Sequence, residues 1–236
     1  MTRHEIFSDT GTHFAVYLLT VDMALASRPR KGDLSVFKVE IQQSISGSVR
    51  RDVDRLIFDV WTAESRESGD VDLLVSLGTS VLDQLDSLST HVLVRNTENK
   101  LVGYGRVAIA TDLAELRAAT RDADIAGPLF PLGYISRLVV DPAFRGQGIA
   151  SLIHTTRIEI ARKSGAMTIY GWAVGDKPRA ALARAGFSEG TSLCGFTTTW
   201  YTTVRKTRLV KLDLFPAELG GVDSKKDLPP RRREAL

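Results

Sequence analysis

The stretch that most constrains this chain runs from Gly133 to Ser164, GYISRLVVDPAFRGQGIASLIHTTRIEIARKS. Ile135, Leu138, Val139 and Val140 form a short apolar run with β-branched members, the pattern of a buried strand. Asp141-Pro142 ends it, because proline cannot donate to a ladder and restricts the residue before it. Arg145 to Ala150, RGQGIA, then opens a helix. Its apolar stripe comprises Ile149, Leu152, Ile153, Thr156 and Ile160, so one face lies on a sheet. Arg157 and Arg162 fall outside that stripe and are expected on the wet side.

The turn carries the chemistry. The first N–H groups of a helix lack intrahelical partners and sit at the positive end of its dipole. Gly146 and Gly148 have no side chain to block an approach to them, and Arg145 adds a positive charge. Such a site suits a pyrophosphate. The plainer alternative is a strand, a turn and a helix whose glycines serve only the bend.

The pattern R-x-x-G-x-A, following an apolar strand and V-D-P-x-F, resembles motif A of the GNAT superfamily of acyl-CoA N-acyltransferases. The similarity runs from about Phe37 to Leu214 and is strongest from Ile135 to Phe187. The resemblance implies that Arg145, Gly146, Gln147, Gly148, Ile149 and Ala150 bind the pyrophosphate of coenzyme A. It also implies that the preceding strand pairs with the pantetheine arm, with Leu138, Val139 and Val140 supplying backbone N–H groups to the thioester carbonyl. The implied co-substrate is acetyl-CoA or another acyl-CoA, the implied acceptor is a small-molecule amine, and no metal is implied. A homodimer is compatible with such a fold.

The 236 residues suffice for one domain with a buried core. A net charge of +3 gives no strong nucleic-acid footprint, and the basic character gathers in the tail around Lys225, Lys226 and Arg231 to Arg233. A single cysteine, Cys194, excludes an internal disulfide and a multi-cysteine zinc site, and fits a reducing, cytoplasmic setting. No signal-peptide pattern is read at Met1–Ser8, and the apolar run Phe14–Leu19 is too short to span a bilayer.

Read in order, residues 1–35 form an N-terminal extension, 36–215 the transferase-like domain, and 216–236 a basic tail expected not to pack. Val36–Ile41 reads as a strand and Ser48–Arg66 as a helix whose stripe includes Val49, Val53, Leu56, Ile57, Val60 and Trp61. Val81–Leu88 reads as a short helix, His91–Arg95 and Leu101–Ala110 as a hairpin, and Asp112–Asp124 as helix-like. Gly103 and Gly105 mark bulges in the second hairpin strand. Gly127–Pro131 is a stiff apolar loop. Met167–Val174 is a strand, and Asp176–Ala185 a helix with Pro178 in its first turn and Gly186 after its end. Ser192–Thr199 and Arg205–Leu214 read as closing strands. The order predicts an α/β fold with a mixed, mostly antiparallel sheet flanked by helices, which is the order of the GNAT fold.

Two positions depart from the family pattern. A carboxylate base commonly sits on the central strand, where this chain has Ser136 and Arg137. A tyrosine acid, registered on Gly186-Phe187, is replaced by Leu182. Ser136 and Arg137 are expected on opposite faces of the strand. Ser136 and Tyr170 are the candidate catalytic residues, with Trp172 beside Tyr170. His91 is read as a core or surface histidine before a base, His154 as exposed, and Cys194 as a small buried hydrophobe. Ile135-Ser136-Arg137-Leu138 is also similar to the S-R-[LF] element of the autoinducer-synthase branch, with Tyr134 where that branch has a glutamate. That resemblance implies long acyl chains, acyl carrier protein as a donor partner, and Phe130, Leu132 and Trp172 as chain contacts. A protein that binds coenzyme A without turnover is the reading from outside the enzyme class.

Overall fold

The computed structural model describes residues 34–68, 84–112, 114–116, 130–174, 176–189 and 207–215. Residues 1–33 of the N-terminal extension, the expected strand at 192–199, Cys194 and the basic tail lie outside the described residues, as do most of the helix-like 112–124 segment and residues 127–129.

Seven strands form one sheet: β1 (Lys38–Gln42), β2 (Ser89–Arg95), β3 (Leu101–Ala110), β4 (Leu132–Val140), β5 (Thr168–Val174), β6 (Ser188–Glu189) and β7 (Thr207–Asp213). Their spatial order is β1-β2-β3-β4-β5-β7-β6. Every neighbouring pair is antiparallel except β4 with β5. The helices are α1 (Gly47–Ser68), α2 (Ile149–Lys163) and α3 (Asp176–Arg184). The expected short helix at 81–88 is a 3-10 turn over Gln84–Leu88 in its described part.

The sheet is covered on both faces, which explains why every residue of β2 is buried. On one face α1 sets Val53, Leu56, Ile57 and Val60 against Leu93, Leu101, Tyr104 and Val139. Burying each such side chain stabilises by about 1.5–3 kcal/mol, far more than intrinsic helix preference contributes to a segment carrying Val53, Ile57 and Val60. On the other face α2 sets Ile149, Leu152 and Ile153 against Val92, Val94 and Val102.

Two glycines fix how closely α2 approaches. A Cβ at Gly103 would lie 2.5 Å from Ile149 Cγ2, and one at Gly105 would lie 2.7 Å from Ile153 Cγ2. The helix therefore rests on bare β3 backbone. α3 ends as its sequence predicts: Gly186 takes φ +94 and the Phe187 N–H donates to Leu182 O at 3.1 Å.

Candidate active site

β4 and β5 pair only from Leu132 with Thr168 to Ile135 with Gly171. Beyond those rungs β4 stays on β3, while Trp172, Ala173 and Val174 pair with β7. The two central strands thus diverge from Ser136 and Trp172 onward and leave a notch in the sheet. Ile135 seals its closed end, where a Cβ on Gly171 would lie 2.7 Å from Ile135 Cγ1. Tyr134 and Tyr170 are register partners at that end, and both are buried.

A bulge lies where the notch opens. Tyr104 faces Val139 and Arg106 faces Ser136, so Arg137 and Leu138 together oppose Gly105. Arg137 takes φ +57, a left-handed conformation that costs about 1–2 kcal/mol in a residue with a Cβ. Its guanidinium carbon lies 4.9 Å from the Trp61 ring centroid on α1. The bulge breaks the expected alternation. Ser136 bonds Arg106 in the layer beneath α1, and Arg137 turns to the same layer instead of the opposite face.

After β4 the chain turns as its sequence dictates. Asp141 accepts from the Ala143 N–H at 3.0 Å and from Lys100 Nζ at 2.8 Å. Burial pushes its carboxyl up, but the Lys100 and Ala143 bonds outweigh burial and hold it below the usual range. Pro142–Phe144 makes a 3-10 turn. Gly146 and Gly148 then adopt φ +80 and +88, and α2 starts at Ile149 with no side-chain cap. The space a Gly146 Cβ would fill is open, and Leu34 is the neighbour of Gly148, at 3.4 Å. Arg145 is exposed, with Nη2 2.9 Å from Glu64 and Nε 3.3 Å from Val140 O. An uncapped helix start behind two left-handed glycines can present N–H donors to an anion. Leu138 and Val140 pack with the start of α2, and Val139 packs with α1.

A buried polar chain borders the bulge on the α1 face. Arg106 Nε donates to Ser136 Oγ at 2.8 Å, and Arg106 Nη1 forms an ion pair with Asp86. The Asp86 carbonyl receives His91 Nε2 at 2.9 Å. A carbonyl only accepts, so Nε2 carries the proton and Nδ1 accepts from the Tyr104 hydroxyl at 2.9 Å. Burial lowers the His91 pKa. The imidazole is a neutral core group with both nitrogens occupied, and the base reading for it is closed.

The opposite face corrects two expectations. Arg157 and His154 are buried, not exposed. Both project from α2 under the sheet, where Arg157 Nη1 reaches Ser136 O at 3.2 Å and Arg106 O at 3.4 Å. Arg157 Nη2 donates to His154 Nδ1 at 2.8 Å. Burial and the Arg157 charge press the His154 pKa down to about 3. Arg157 follows Ile153 by four residues and precedes Ile160 by three, which places it on the apolar stripe itself. The spacing signalled its burial, and its charge masked that signal. Arg106 and Asp86 are the residues that sequence reasoning passed over.

Burial raises the Tyr170 pKa, with Asp213 adding to the rise and Lys211 opposing it. Tyr170 therefore remains a neutral phenol at ordinary pH, able to donate a proton and unsuited to remove one. Leu182 is buried in the core beneath α3 with Ala173 and Phe187, so nothing at that position replaces the tyrosine.

The profile of the Acetyltransferase (GNAT) family matches residues 56–187, more than half of the chain, and spans the bulge, the notch and the glycine turn. The chain belongs to the GNAT acetyltransferase family. It is an N-acyltransferase enzyme, and GNAT enzymes take an acyl-CoA as co-substrate. Solved structures share the GNAT fold at low identity. An acetyltransferase of Listeria monocytogenes is 16% identical, with a TM-score of 0.51 over 75% of this chain and 94% of its own. A protein assigned as an arylalkylamine N-acetyltransferase of the yellow fever mosquito is 16% identical, with a TM-score of 0.52 over 78% and 92%. A protein assigned as an N-acetyltransferase of Lactobacillus plantarum is 12% identical, with a TM-score of 0.51 over 76% and 99%. No curated protein sequence matches the chain. Among the described residues no helix is long and apolar enough to cross a membrane, and no cluster of His, Cys, Asp or Glu is placed to hold a metal.

Proposed function

We propose that this protein moves a short acyl group, most simply acetyl, from coenzyme A to the amine of a small molecule, using residues 36–215 as its transferase domain. The observation that carries this reading is the continuity of bulge, notch and glycine turn along β4 and the start of α2. In this reading the pyrophosphate lies on the N–H groups from Arg145 to Ala150. The pantetheine arm follows Leu138, Val139 and Val140 into the notch, with the thioester carbonyl at the bulge.

The acceptor amine, once neutral, forms the C–N bond as the C–S bond breaks. The thiolate leaves and takes up the proton that nitrogen gives up. No carboxylate stands on β4 to act as base, so orientation and polarisation of the carbonyl supply the rate. Orientation alone can contribute about 7–11 kcal/mol in well-aligned cases, while a placed acid or base adds about 10²–10⁴-fold. The Ser136 hydroxyl, held by Arg106, and the neutral phenol of Tyr170 are the side chains offered to the reacting atoms.

A short donor is favoured over a long one. A chain threading between β4 and β5 would meet Ile135 against Gly171, with no room for a Cβ between them. This weighs against the autoinducer-like alternative and its acyl carrier protein donor. Two measurements test the proposal: calorimetric titration with acetyl-CoA, octanoyl-CoA and palmitoyl-CoA, and thiol release over arylalkyl, aliphatic and amino-acid amines. Tight acetyl-CoA binding with amine-dependent thiol release is expected. Binding without release would leave a coenzyme A-binding protein, and a preference for palmitoyl-CoA would reject the short-chain assignment.

A further inference from the structure

Arg157 is among the largest fully buried side chains in the protein, with 1% of its surface exposed. Among the described residues it has no carboxylate partner; its bonds go to two carbonyl oxygens and a histidine nitrogen, and its Nε is left without a partner. A buried charge of this kind is unfavourable, and a well-packed apolar side chain in its place is often neutral or stabilising. His154 accepts from it as a neutral ring and brings no compensating charge. Burial lowers the Arg157 pKa to about 9, so the group remains a cation at neutral pH.

The position of that cation is specific. It lies under Gly105, whose missing Cβ would come within 3.3 Å of Nη1, and it bonds the carbonyl of Ser136. That carbonyl belongs to the peptide leading into the left-handed Arg137, at the mouth of the notch. A peptide is planar and trans, so fixing its oxygen fixes the direction of the N–H at its other end. A cation on the oxygen also draws electrons along the amide and makes that N–H end more positive, an effect strengthened where the dielectric is low.

Resting on the acyltransferase reading above, we propose that Arg157 is a positioning residue for acyl transfer. It clamps the Ser136–Arg137 peptide from behind the sheet and adds a fixed, carboxylate-free positive charge that favours negative charge on the thioester oxygen. The principle is that of preorganised charge aimed where charge develops, with no reorganisation at the moment of reaction. Arg157 touches no substrate in this arrangement and acts through the strand.

The test compares wild type with Arg157→Met and Arg157→Lys, using acetyl-CoA labelled with 13C at the carbonyl. The infrared C=O stretch of the bound thioester is recorded without an acceptor. kcat is measured with the fastest amine of the panel, and acetyl-CoA affinity by calorimetry. In wild type the stretch should fall below that of free acetyl-CoA. Arg157→Met should lose most of that shift and about 10²-fold in kcat, of the order seen when an oxyanion donor is removed, with affinity within about threefold. Arg157→Lys keeps charge without the two-carbonyl fork and should fall between; it carries the same readouts if the methionine variant does not fold. Wild-type stretch and kcat in either folded variant would overturn the proposal, as would a loss confined to affinity. Variants that bind and turn over like wild type reject the role of Arg157 alone. A wild-type protein that binds no acetyl-CoA rejects the acyltransferase reading, and this proposal with it.

Discussion

Arg106 and Arg157 meet at Ser136 from opposite faces of the sheet, Arg106 Nε on the side-chain oxygen at 2.8 Å and Arg157 Nη1 on the carbonyl oxygen at 3.2 Å. The first arginine is neutralised by Asp86, and the second has no carboxylate among the described residues. One residue of β4 is therefore fixed through both its side chain and its main chain, immediately before a left-handed position that the chain would not adopt unaided.

Asp86→Ala removes the counterion of Arg106, whose side chain is 2% exposed. Breaking a buried pair from one side costs about 3–5 kcal/mol. Thermal unfolding should shift down accordingly, and kcat should fall because Ser136 loses its oriented partner. His91 should keep its bond, since it uses the Asp86 main chain. An unchanged His91 ring signal by NMR would separate this local loss from general unfolding.

Gly105→Ala places a methyl 2.7 Å from Ile153 Cγ2 and 3.3 Å from Arg157 Nη1. Overpacking of this kind costs about 1–3 kcal/mol, which lowers Tm by about 2–12 °C in a protein of this size. Because the methyl also presses on Arg157, turnover should drop more than acetyl-CoA affinity. A scan of Tm beside steady-state kinetics checks both.

Gly148→Val tests the turn. Gly148 has φ +88, so a β-branched side chain there strains the backbone that aims the first helical N–H groups, and its Cβ would lie 3.4 Å from Leu34. Acetyl-CoA affinity should fall at least about tenfold, the loss of one good contact worth 1.4 kcal/mol. Gly47→Ala is the control: Gly47 has φ +56 with open space around it, so it carries backbone strain without touching the turn. Equal affinities for Gly148→Val and wild type would remove the turn from the donor site.

Stability should weaken in mild acid. His91 and His154 both have folded-state values below the ordinary 6.5, that of His154 at about 3. The unfolded chain therefore takes up protons first as pH falls. Stability is complete above about 6.5 and is lost progressively below it, until His154 itself protonates near 3. His154 forfeits about 2 kcal/mol by about pH 5, and His91 adds a loss of the same sign. His154→Gln keeps an acceptor for Arg157 and does not titrate, so its Tm should decline less between about pH 8 and 5 than that of wild type.

The rate should rise with pH along a limb set by the acceptor, because neither His91 nor Tyr170 can serve as the base. His91 has both nitrogens engaged in the core, and burial holds Tyr170 protonated. Two amines of different pKa should give two different ascending limbs. A common limb for both, abolished by Tyr170→Phe, would establish a side-chain base and overturn this account.

The fold was legible because its strongest signals are local. The β4–turn–α2 unit and the Gly186 helix end each rest on residue types whose backbone needs are written within a few positions. The bulge expected at Gly105 has its extra residue on β4 instead, and Gly103 and Gly105 serve the close approach of α2. The site was legible only in part. The Asp86–Arg106–Ser136 chain joins three segments distant in sequence, and no spacing announces such a meeting. Arg157 and His154 were misplaced for a different reason. Charge argues for solvent, and here the carbonyls of the sheet and a neutral histidine take the place of water. Strand alternation predicts Ser136 and Arg137 on opposite faces, and it fails here because an extra residue is inserted in β4.

The four rungs between β4 and β5 are also a seam. On one side lie strands β1 to β4, joined by antiparallel ladders; on the other, β5, β7 and β6. Among the described residues the backbone ladder connects these two leaves only from Leu132–Thr168 to Ile135–Gly171. Local opening follows such thin connections. Anything seated in the notch touches both leaves and stitches the seam from its open end. Amide hydrogens of Thr168 to Gly171 should therefore exchange faster than those of β2 and β3 in the free protein, and should slow most when acetyl-CoA is added.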